Sequence, residues 1–398
     1  MKIVIVGGHL APALAVIQAF RSCHSRHSLC HSREGGNPDP SKHKTQILFI
    51  GRKYALEGDN ALSLEYQKIT SMSIPFINLT TGRLQRKFTK HTFTSLLKLP
   101  IGSLQALKEL MKFRPDCVVC FGGYVQVPVA FAAYLLGIPI VTHEQTRKAG
   151  LANKIIAPFA TVICLSWEES KKYFPANKTI LTGLPLRKEF FAAVIRRGIK
   201  SYAPTKTIYI TGGSLGAHSI NLLIEGCIEK LLKNYNIIHQ TGDAKEYKDY
   251  DRLEKLRQTL PQPLRNKYKL VKFIDPFEAA QEMASADLVI SRSGMNTTAE
   301  LLYLSKPCLL IPLPHSQNNE QLENALFLQE QGFAKMLKQE DLTSEILYSQ
   351  ITSIIDKLNK ADNSSIQPNK LTPYDAAEKI IQIITQTYEQ KNQQKNTK

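Results

Sequence analysis

The stretch IVIVGGHLAPALA, residues 3–15, has a counterpart in IYITGGSLGAHSI, residues 208–220. Each is an apolar, β-rich run followed by two glycines, one polar residue, a leucine and a segment compatible with a helix. A strand that passes through a glycine turn into a helix typically opens a doubly wound parallel sheet, and such sheets bind ligands at the carboxyl ends of their strands. Two such openings in 398 residues predict an α/β protein of two doubly wound domains, with the substrate in a cleft between them.

Short apolar runs alternate with longer amphipathic segments along the chain, which is typical of parallel sheets covered by helices. We place the first domain at residues 1–185, the second at 186–360, and a closing helix with a polar tail at 361–398. The strand candidates are KIVIV, QILFI, CVVCF, IPIVT, TVIC and KTILT in the first domain, and KTIYIT, YNIIHQ, DLVIS and CLLIP in the second.

Segment 22–44 differs from its surroundings because it lacks an apolar period and contains Cys-His-Ser-Arg twice. We expect a disordered surface insert between the first helix and the second strand. The alternative is a metal site, although nothing nearby would orient its ligands. Its side chains would come from Cys23, His24, His27, Cys30 and His31.

The composition is basic, with 51 Lys and Arg against 34 Asp and Glu and a formal net charge of +17. This excess favours an anionic partner such as nucleic acid, an acidic membrane or a phosphorylated substrate, although a merely lysine-rich surface has the same composition. Seven cysteines without a regular framework argue against a disulfide scaffold and for a reducing compartment. Because the apolar start Ile3–Val6 is short, we expect no secretory signal.

Two turns in the second half have the chemistry of a nucleotide site. In TGGSLGAHSIN, residues 211–221, the glycines let the backbone approach a phosphate, a helix start supplies free N–H groups, and Ser214 adds a hydroxyl donor. In SRSGMNTTAE, residues 291–300, Glu300 can accept hydrogen bonds from a ribose diol. The alternative is a capping box formed by Thr297 and Glu300.

Two further polar clusters follow strand candidates. LPHSQNNEQLENA, residues 313–325, carries neutral amides, which suit sugar hydroxyls that both donate and accept hydrogen bonds. VTHEQTRKAGLANK, residues 141–154, places the run His143 to Thr146 directly after a strand, where a ligand site is expected. Solvated loops and helix caps are the alternative in both places.

Taken in order, these motifs resemble those of the MurG family, the peripheral membrane glycosyltransferases of bacterial peptidoglycan synthesis. The resemblance rests on GGH, PALA, FGGYV, HEQT, GLANK, TGLPLR, GGSLGA, FID, SRSG and NEQLENA, and it covers nearly the whole chain except 22–44 and the tail. It implies two Rossmann-like domains of the GT-B type that face a cleft.

The resemblance also implies an activity. N-acetylglucosamine would move from UDP-GlcNAc to the C4 hydroxyl of an undecaprenyl-pyrophosphate-linked muramoyl-pentapeptide, with inversion at the sugar. No metal ion, cofactor or nucleic acid is implied, and the site of action is the cytoplasmic face of the bacterial plasma membrane.

Residue roles follow from the same resemblance. On the donor side, Arg187 and Ser214 would contact the diphosphate, and the backbone of Ile274 would contact uracil. Gln321 and Glu320 would contact the sugar. Phosphate and ribose contacts would come from Met295, Asn296, Thr297, Thr298, Ala299 and Glu300. Those on the acceptor side are Gly7, Gly8 and Thr146, with His9 or Glu144 as catalytic residue.

Two positions depart from the family pattern. The first turn usually reads G-G-T-G-G-H, whereas here only Gly7-Gly8-His9 remains, and Thr146 stands where an asparagine is usual. We expect either change to weaken acceptor binding, to shift substrate preference or to lower activity. The alternatives are therefore a UDP-sugar transferase that uses another glycolipid, and a non-catalytic nucleotide-sugar-binding homologue. A dinucleotide dehydrogenase is disfavoured because neither turn has the three-glycine fingerprint.

His9 stands at the carboxyl end of the first strand. Because an unperturbed histidine is largely neutral at cellular pH, we expect His9 to accept or orient the proton of the acceptor hydroxyl, with Glu144 in reserve. The alternative is a helix-start residue that only hydrogen bonds the loop.

Segment 81–99 is the expected membrane-binding segment, because it mixes cations with apolar side chains. A loop and helix packed on the domain is the alternative. The residues in question are Arg83, Leu84, Arg86, Lys87, Phe88, Lys90, Phe93, Leu96, Leu97 and Lys98.

Overall fold

The computed structural model describes residues 1–30, 45–54, 62–80, 90–187, 190–192, 205–213, 216–244, 246–316, 319–360 and 375–396, without the side chains of 23–30, 90–99, 360 and 394–396. The chain divides into two compact units. The first comprises Met1–Arg187 together with Pro373–Lys398, and the second comprises Lys188–Thr372.

The first unit contains a seven-stranded sheet in the order β3-β2-β1-β4-β5-β6-β7. Its adjacent strands are parallel throughout. The strands are β1 (Lys2–Val6), β2 (Gln46–Gly51), β3 (Phe76–Asn78), β4 (Cys117–Cys120), β5 (Ile140–Glu144), β6 (Val162–Leu165) and β7 (Thr179–Leu181). The strand order reverses between β1 and β4, which is where doubly wound sheets bind their ligands.

Helices cover both faces of the first sheet. Apolar side chains of β1 and β4 alternate between these faces: Cys117 and Val119 pack on one side, and Val118 and Cys120 on the other. This alternation confirms the strand predicted for CVVCF, and all four of its residues in β4 are buried. The helices of this unit are α1 (Leu10–Cys30), α2 (Leu64–Ser71), α3 (Lys90–Phe113), α4 (Gln126–Leu135), α5 (Leu151–Ile156) and, from the end of the chain, α14 (Ala376–Asn396).

The last helix, α14, completes the first unit rather than the second. Its Ile380 and Ile384 are fully buried, in the same core cluster as Val16 and Ile17 of α1. The chain therefore leaves the first unit after Arg187 and returns to it at Pro373.

The second unit contains a six-stranded sheet in the order β10-β9-β8-β11-β12-β13, again with every adjacent pair parallel. Its strands are β8 (Thr207–Thr211), β9 (Asn236–Gln240), β10 (Tyr268–Val271), β11 (Leu288–Ser291), β12 (Cys308–Leu310) and β13 (Ala334–Met336). Its helices are α6 (His218–Glu225), α7 (Ile228–Asn234), α8 (Asp249–Thr259), α9 (Gln262–Arg265), α10 (Pro276–Ser285), α11 (Met295–Leu304), α12 (Glu320–Glu330) and α13 (Ser344–Lys360).

The predicted α/β class with two parallel-sheet domains is confirmed, and each of the ten strand candidates overlaps an observed strand. Three strands were missed, β3, β10 and β13, and each is the outermost strand of its sheet. An outer strand is less buried than a central one and need not be a continuous apolar run. FIN, YKLV and AKM therefore carry weak strand signals.

Two segments that we expected to be disordered are helical. Helix α1 continues to Cys30, so residues 22–30 of the expected disordered insert are helical, because no Gly or Pro interrupts the helix there. The polar tail after the closing helix, which we expected to be frayed, instead continues α14 to Asn396, because its Glu, Gln and Lys residues favour helix. Residues 31–44, and 81–89 of the expected membrane segment, lie outside the described residues.

The ends of β1 and β4 meet through two glycine turns. A Cβ added to Gly8 would overlap the carbonyl group of Gly122, and a Cβ added to Gly122 would overlap the imidazole of His9. Gly122 also has φ +81°, a left-handed conformation that favours glycine. The two turns therefore interlock at the point where the strand order reverses.

Replacement of Gly122 by Ala tests this interlock. The added methyl group forces His9 to move, so we expect the free energy of unfolding to fall by about 1–3 kcal/mol for overpacking, in addition to about 1–2 kcal/mol for the left-handed backbone. Urea denaturation measures the sum. The matched control is Gly137→Ala, at φ +62° with no atom within 4 Å of the new methyl, which should show the backbone cost alone. Equal losses in the two variants would refute the interlock.

A neutral histidine is part of the second core. His239, fully buried in β9, lies 2.9 Å from the Tyr268 hydroxyl through Nδ1 and 3.0 Å from Asn221 Oδ1 through Nε2. The amide nitrogen of Asn221 donates to Thr241 O and Asp249 Oδ2, so its oxygen faces the ring and Nε2 must donate. Burial lowers the pKa of His239 from 6.5 to about 3, against the charge of Asp249, which acts to raise it.

His239 should make stability depend on pH. Because the folded pKa lies below the unfolded one, its contribution is complete above pH 6.5 and is lost as the pH falls toward 3. The slope in this window is about 1.4 kcal/mol per pH unit for one proton. Urea titrations from pH 7 to 5 should show a shallower slope for His239→Gln than for wild type. Tyr268→Phe is the control, since it removes the partner hydroxyl but leaves the titrating ring. An unchanged slope in His239→Gln would contradict the assignment.

Candidate functional site

The backbone N–H groups of the first glycine turn, Gly7 to His9, donate hydrogen bonds to other groups of the protein. Gly7 N donates to Ile50 O at 2.8 Å, Gly8 N to Glu65 Oε1 at 3.1 Å, and His9 N to Phe121 O at 2.9 Å. The sequence predicted Gly7 and Gly8 as substrate contacts, and this remains a prediction. Any such contact must use the Cα face of the turn, because the three N–H groups already have acceptors.

His9 lies beside two groups that affect its charge. Burial lowers its pKa from 6.5, while the carboxylate of Glu144 and the Phe121 carbonyl act in the opposite direction. Its Nδ1 is buried and has no hydrogen-bond partner among the residues that the structure describes. The ring is therefore neutral at cellular pH and can accept a proton, and Glu144 favours the imidazolium that this would form.

Glu144 holds its own loop together. Its Oε1 accepts from Thr146 N at 2.9 Å and from the Thr146 hydroxyl at 2.5 Å, and its Oε2 accepts from Gly150 N and Asn153 Nδ2, both at 2.8 Å. The side chain is only 1% exposed. With these four bonds, Glu144 is placed better to orient the loop and influence His9 than to take a proton from substrate.

Thr146 faces inward in the same loop. Its hydroxyl also lies 2.6 Å from Lys148 O, so the residue that replaces the family's asparagine is engaged with the protein. Its predicted acceptor contact remains a prediction.

A polar chain links this loop to the second glycine turn. Gln126 Oε1 accepts from Gly122 N at 3.0 Å, and Gln126 Nε2 donates to Asn153 Oδ1 at 2.6 Å. Asn153 then reaches Glu144. Sequence reasoning did not single out Gln126 or Asn153, although Asn153 lies in the quoted GLANK motif. A buried amide can be recognised as a link only when its two partners are known.

His143 lies beneath His9. Its Nε2 is 3.0 Å from Ser166 Oγ and 3.4 Å from Gly183 O, and its Nδ1 is buried without a partner among the described residues. Burial lowers its pKa to about 3, the Gly183 carbonyl opposes this, and His9 lowers it further. His143 is therefore a neutral neighbour that cannot compete with His9 for a proton near pH 7.

In the second unit, Glu300 is not part of a capping box. Helix α11 is preceded by Gly294 as its N-cap, without a capping side chain, and Thr297 is the third residue of the helix. The alternative interpretation of T-x-x-E is therefore wrong. Glu300 is 8% exposed, in the second turn of a helix whose first turn has N–H groups without a side-chain cap. This arrangement suits an anionic ligand at the helix start.

The neighbouring predicted residues differ in exposure. Met295, Thr298 and Ala299 are buried, and the Thr298 hydroxyl has no partner among the described residues, whereas Asn296 is exposed. Ile274 is also buried, and the following Asp275 caps α10 by accepting from Phe277 N at 2.9 Å.

The amide-rich loop after β12 is tied to α11 and α12. Gln321 Oε1 accepts from Leu313 N at 2.9 Å, and its backbone carbonyl accepts from Ser293 Oγ at 2.6 Å. Asn324 donates to Ser293 O at 3.1 Å. The start of α12 is thus joined to the S-x-S-G turn by one bond in each direction. The amide nitrogen of Gln321 is the group that its predicted sugar contact would use.

Arg292 is a charged residue beside the candidate site that sequence reasoning did not single out. Its guanidinium donates to Ile311 O and Pro312 O at 3.0 Å, and to Ser219 Oγ and Gln339 Oε1 at 2.7 Å. All four acceptors are neutral. Burial lowers its pKa to about 10, so it remains charged. It contributes positive potential at the carboxyl end of β11, close to the start of α6.

The remaining predicted residues are only partly described. The turn after β8 has Gly213 N donating to Thr211 Oγ1 at 3.0 Å, but Ser214 lies outside the described residues. Arg187 is half-buried at the end of the first unit, and Glu320 begins α12. Their proposed contacts stay predictions.

The described residues contain neither a metal-binding cluster nor a membrane-spanning helix. No group of three or more His, Cys, Asp or Glu side chains is arranged to hold a metal ion. Among the helices of the described part of the chain, none combines the length and apolar character needed to cross a bilayer.

Comparisons with known proteins match both units. The family model of the glycosyltransferase family 28 N-terminal domain matches residues 60–165, and that of the C-terminal domain matches residues 207–380. A Clostridium kluyveri protein named UDP-N-acetylglucosamine–N-acetylmuramyl-(pentapeptide) pyrophosphoryl-undecaprenol N-acetylglucosamine transferase is 34% identical over 395 residues, with 96% of this chain and 98% of the relative covered.

Solved structures show the same fold. The crystal structure of MurG from Acinetobacter baumannii is 25% identical, with a TM-score of 0.65, and the match covers 97% of this chain and 100% of that one. A UDP-GlcNAc 2-epimerase from Neisseria meningitidis reaches a TM-score of 0.63 at 15% identity, with 97% of this chain and 100% of the epimerase covered. The fold alone therefore does not distinguish transfer from epimerisation, whereas the relatives and the family models do. The chain belongs to glycosyltransferase family 28 and, within it, to the MurG family.

Proposed function

We propose that this chain is an inverting glycosyltransferase. It transfers N-acetylglucosamine from UDP-GlcNAc to the C4 hydroxyl of the muramoyl-pentapeptide carried on undecaprenyl pyrophosphate. The observation that carries the proposal is the 34% identity to a transferase of this name across 96% of the chain. A transferase for another glycolipid and a non-catalytic nucleotide-sugar binder are the outcomes against which it is tested.

The second unit offers the features that UDP-GlcNAc needs. A helix start without a side-chain cap, a glycine turn and the charged Arg292 provide positive potential for the diphosphate. Glu300 lies on the same helix for the ribose diol, and Gln321 carries an amide for the sugar. Ser214 adds a diphosphate contact, and the backbone of Ile274 contacts uracil. The resemblance assigns a further diphosphate contact to Arg187, the last residue of the first unit.

The first unit offers the base. His9 takes the proton of the C4 hydroxyl as that oxygen attacks the anomeric carbon. The bond from this carbon to the β-phosphate oxygen breaks, and UDP leaves with the electron pair. Glu144 stabilises the resulting imidazolium through its charge. Leaving-group charge is balanced by protein cations and helix starts, as positioned donors do in other transfer reactions.

Substitution of His9 separates catalysis from donor binding. His9→Ala should lower kcat by about 10²–10⁴ while UDP affinity stays near wild type, in a radiolabelled sugar-transfer assay combined with calorimetry. Glu300→Ala is the matched comparison, because it should weaken UDP binding by about 1.5–3 kcal/mol through loss of a charged acceptor. A folded His9→Ala enzyme with near-normal turnover would assign the base to another group. Wild-type protein that binds UDP-GlcNAc but never transfers its sugar would reject the proposed function.

The acceptor is a membrane lipid, so the proposal includes peripheral docking at the cytoplasmic face of the plasma membrane. The expected docking segment is 81–99, of which the structure describes only the backbone of 90–99 as part of α3. Its cations and apolar residues support contact with an anionic surface.

Docking can be tested by charge removal. Five changes to Gln, at Arg83, Arg86, Lys87, Lys90 and Lys98, should abolish most co-sedimentation with phosphatidylglycerol vesicles, since each near-surface cation contributes ~1 kcal/mol. The control removes the same charge from exposed lysines of the second unit, Lys230, Lys233, Lys255, Lys269 and Lys272, and should bind like wild type. Equal binding by all three proteins would reject the segment.

A further inference from the structure

The first glycine turn contains a carboxylate of the protein itself. Glu65, in the first turn of α2, accepts from Gly8 N through Oε1 and from Arg52 N through Oε2, both at 3.1 Å. The start of α2 is fixed against the end of β2, because Ser63 Oγ donates to Arg52 O at 2.6 Å. The carboxylate therefore bridges the carboxyl ends of β1 and β2.

Two glycines make room for this carboxylate. A Cβ added to Gly7 or to Gly51 would overlap the carboxyl group of Glu65. Burial raises the pKa of Glu65, and the Arg52 N–H, the Arg52 charge and the Gly8 N–H oppose the rise. The group is thus closely packed and held by donors that directly follow β1 and β2. The guanidinium of Arg52 also lies 5.1 Å from the centre of the Tyr124 ring, beside the Gly122-Gly123 turn.

A turn of this type normally leaves N–H groups for a phosphate. Here the N–H groups of Gly7, Gly8 and His9 all have protein acceptors, and the acceptor of Gly8 is negatively charged. In the second unit, the N–H of Gly213 instead meets the neutral hydroxyl of Thr211. The two similar sequences therefore form turns of different electrostatic character.

The Gly8 contact extends to His9. Gly8 lies against the Gly122 carbonyl, His9 N donates to Phe121 O, and the His9 ring covers the Cα of Gly122. A shift of Gly8 must therefore move the ring of His9.

We propose that Glu65 is a positioning residue for the transfer reaction: its carboxylate takes the place of a phosphate in the first glycine turn, holds His9 in register, and leaves this turn to receive an uncharged, hydroxyl-bearing part of the acceptor. The acceptor's pyrophosphate binds elsewhere. This inference rests on the proposed function for its substrate and on the contacts above for the role of Glu65.

Glu65→Gln is the decisive variant. A glutamine oxygen can accept from only one of the two N–H groups, and its amide nitrogen then faces the other donor. We expect kcat to fall at least tenfold, while the KM values for UDP-GlcNAc and for the lipid-linked acceptor change less than threefold. The matched control is Glu168→Gln, which removes a carboxylate with 64% side-chain exposure from the same unit and should leave all three constants unchanged.

Two results would overturn the inference. A folded Glu65→Gln enzyme with wild-type kcat would show that Glu65 does not position His9. A fall of the acceptor KM by more than threefold would show that Glu65 blocks a pyrophosphate site, so that the turn binds the anion itself. If Glu65→Gln does not fold, Glu65→Asp carries the test. The aspartate side chain is one methylene shorter, so its carboxylate does not reach both donors. Wild-type kcat in a folded Glu65→Asp enzyme would reject the role.

A second measurement does not depend on turnover. The imidazole of His9, assigned by comparison with His9→Ala, is titrated by NMR in wild type and Glu65→Gln. Loosening the turn should bring water to the ring and raise the midpoint toward that of an ordinary histidine. An unchanged His9 titration would contradict the inference even if the wild type transfers no sugar, a result that would refute the proposed function separately.

Discussion

The close approach of Gly8 to the Gly122 carbonyl is the constraint on which the rest of the first unit depends. It joins the ends of the two strands between which the sheet reverses its order, and it exists only because Gly8 has no Cβ. The His9 ring then fits over Gly122, and the amide of Gln126 connects this turn to Asn153 and Glu144. One backbone contact thus sets the geometry of the candidate base and of the loop beside it.

Buried charged side chains have different hydrogen-bond partners in the two units. In the first unit, Glu65 and Glu144 accept hydrogen bonds from backbone N–H groups, which favour the ionised carboxylates, and the charge of Arg52 acts in the same direction on Glu65. In the second unit, Arg292 is satisfied by neutral oxygens, so its positive charge is not cancelled by its hydrogen-bond partners. The turns of the first unit are thus poorly suited to a phosphate, while the second unit retains positive potential at strand ends where a diphosphate is expected.

Two buried histidines show why position in the fold, and not residue type, determines protonation. His143 and His239 both have a pKa near 3 because each is buried in its sheet. His9 also has a lowered pKa, but Glu144 acts against the effect of burial. Of these three histidines, only His9 combines a position in a glycine turn, a buried Nδ1 without a partner among the described residues and a carboxylate that favours its protonated form.

The fold class and the central strands can be predicted from the sequence alone, because central strands of parallel sheets are continuous apolar runs. The motifs at their carboxyl ends can be predicted as well, because glycine turns are visible as dipeptides. The sequence did not determine the outer strands β3, β10 and β13, whose weaker burial leaves little pattern, or the placement of α14 on the first unit. It also could not show that Gly7-Gly8 and Gly212-Gly213 differ. That difference comes from Glu65, which is distant from the turn in sequence and reaches Gly8 only after α2 has packed against β2. Likewise, T-x-x-E can cap a helix or line a site, and only the observed start of α11 at Met295 excluded the cap. Pairwise contacts between distant residues are a property of the packed chain, and a single sequence does not contain them.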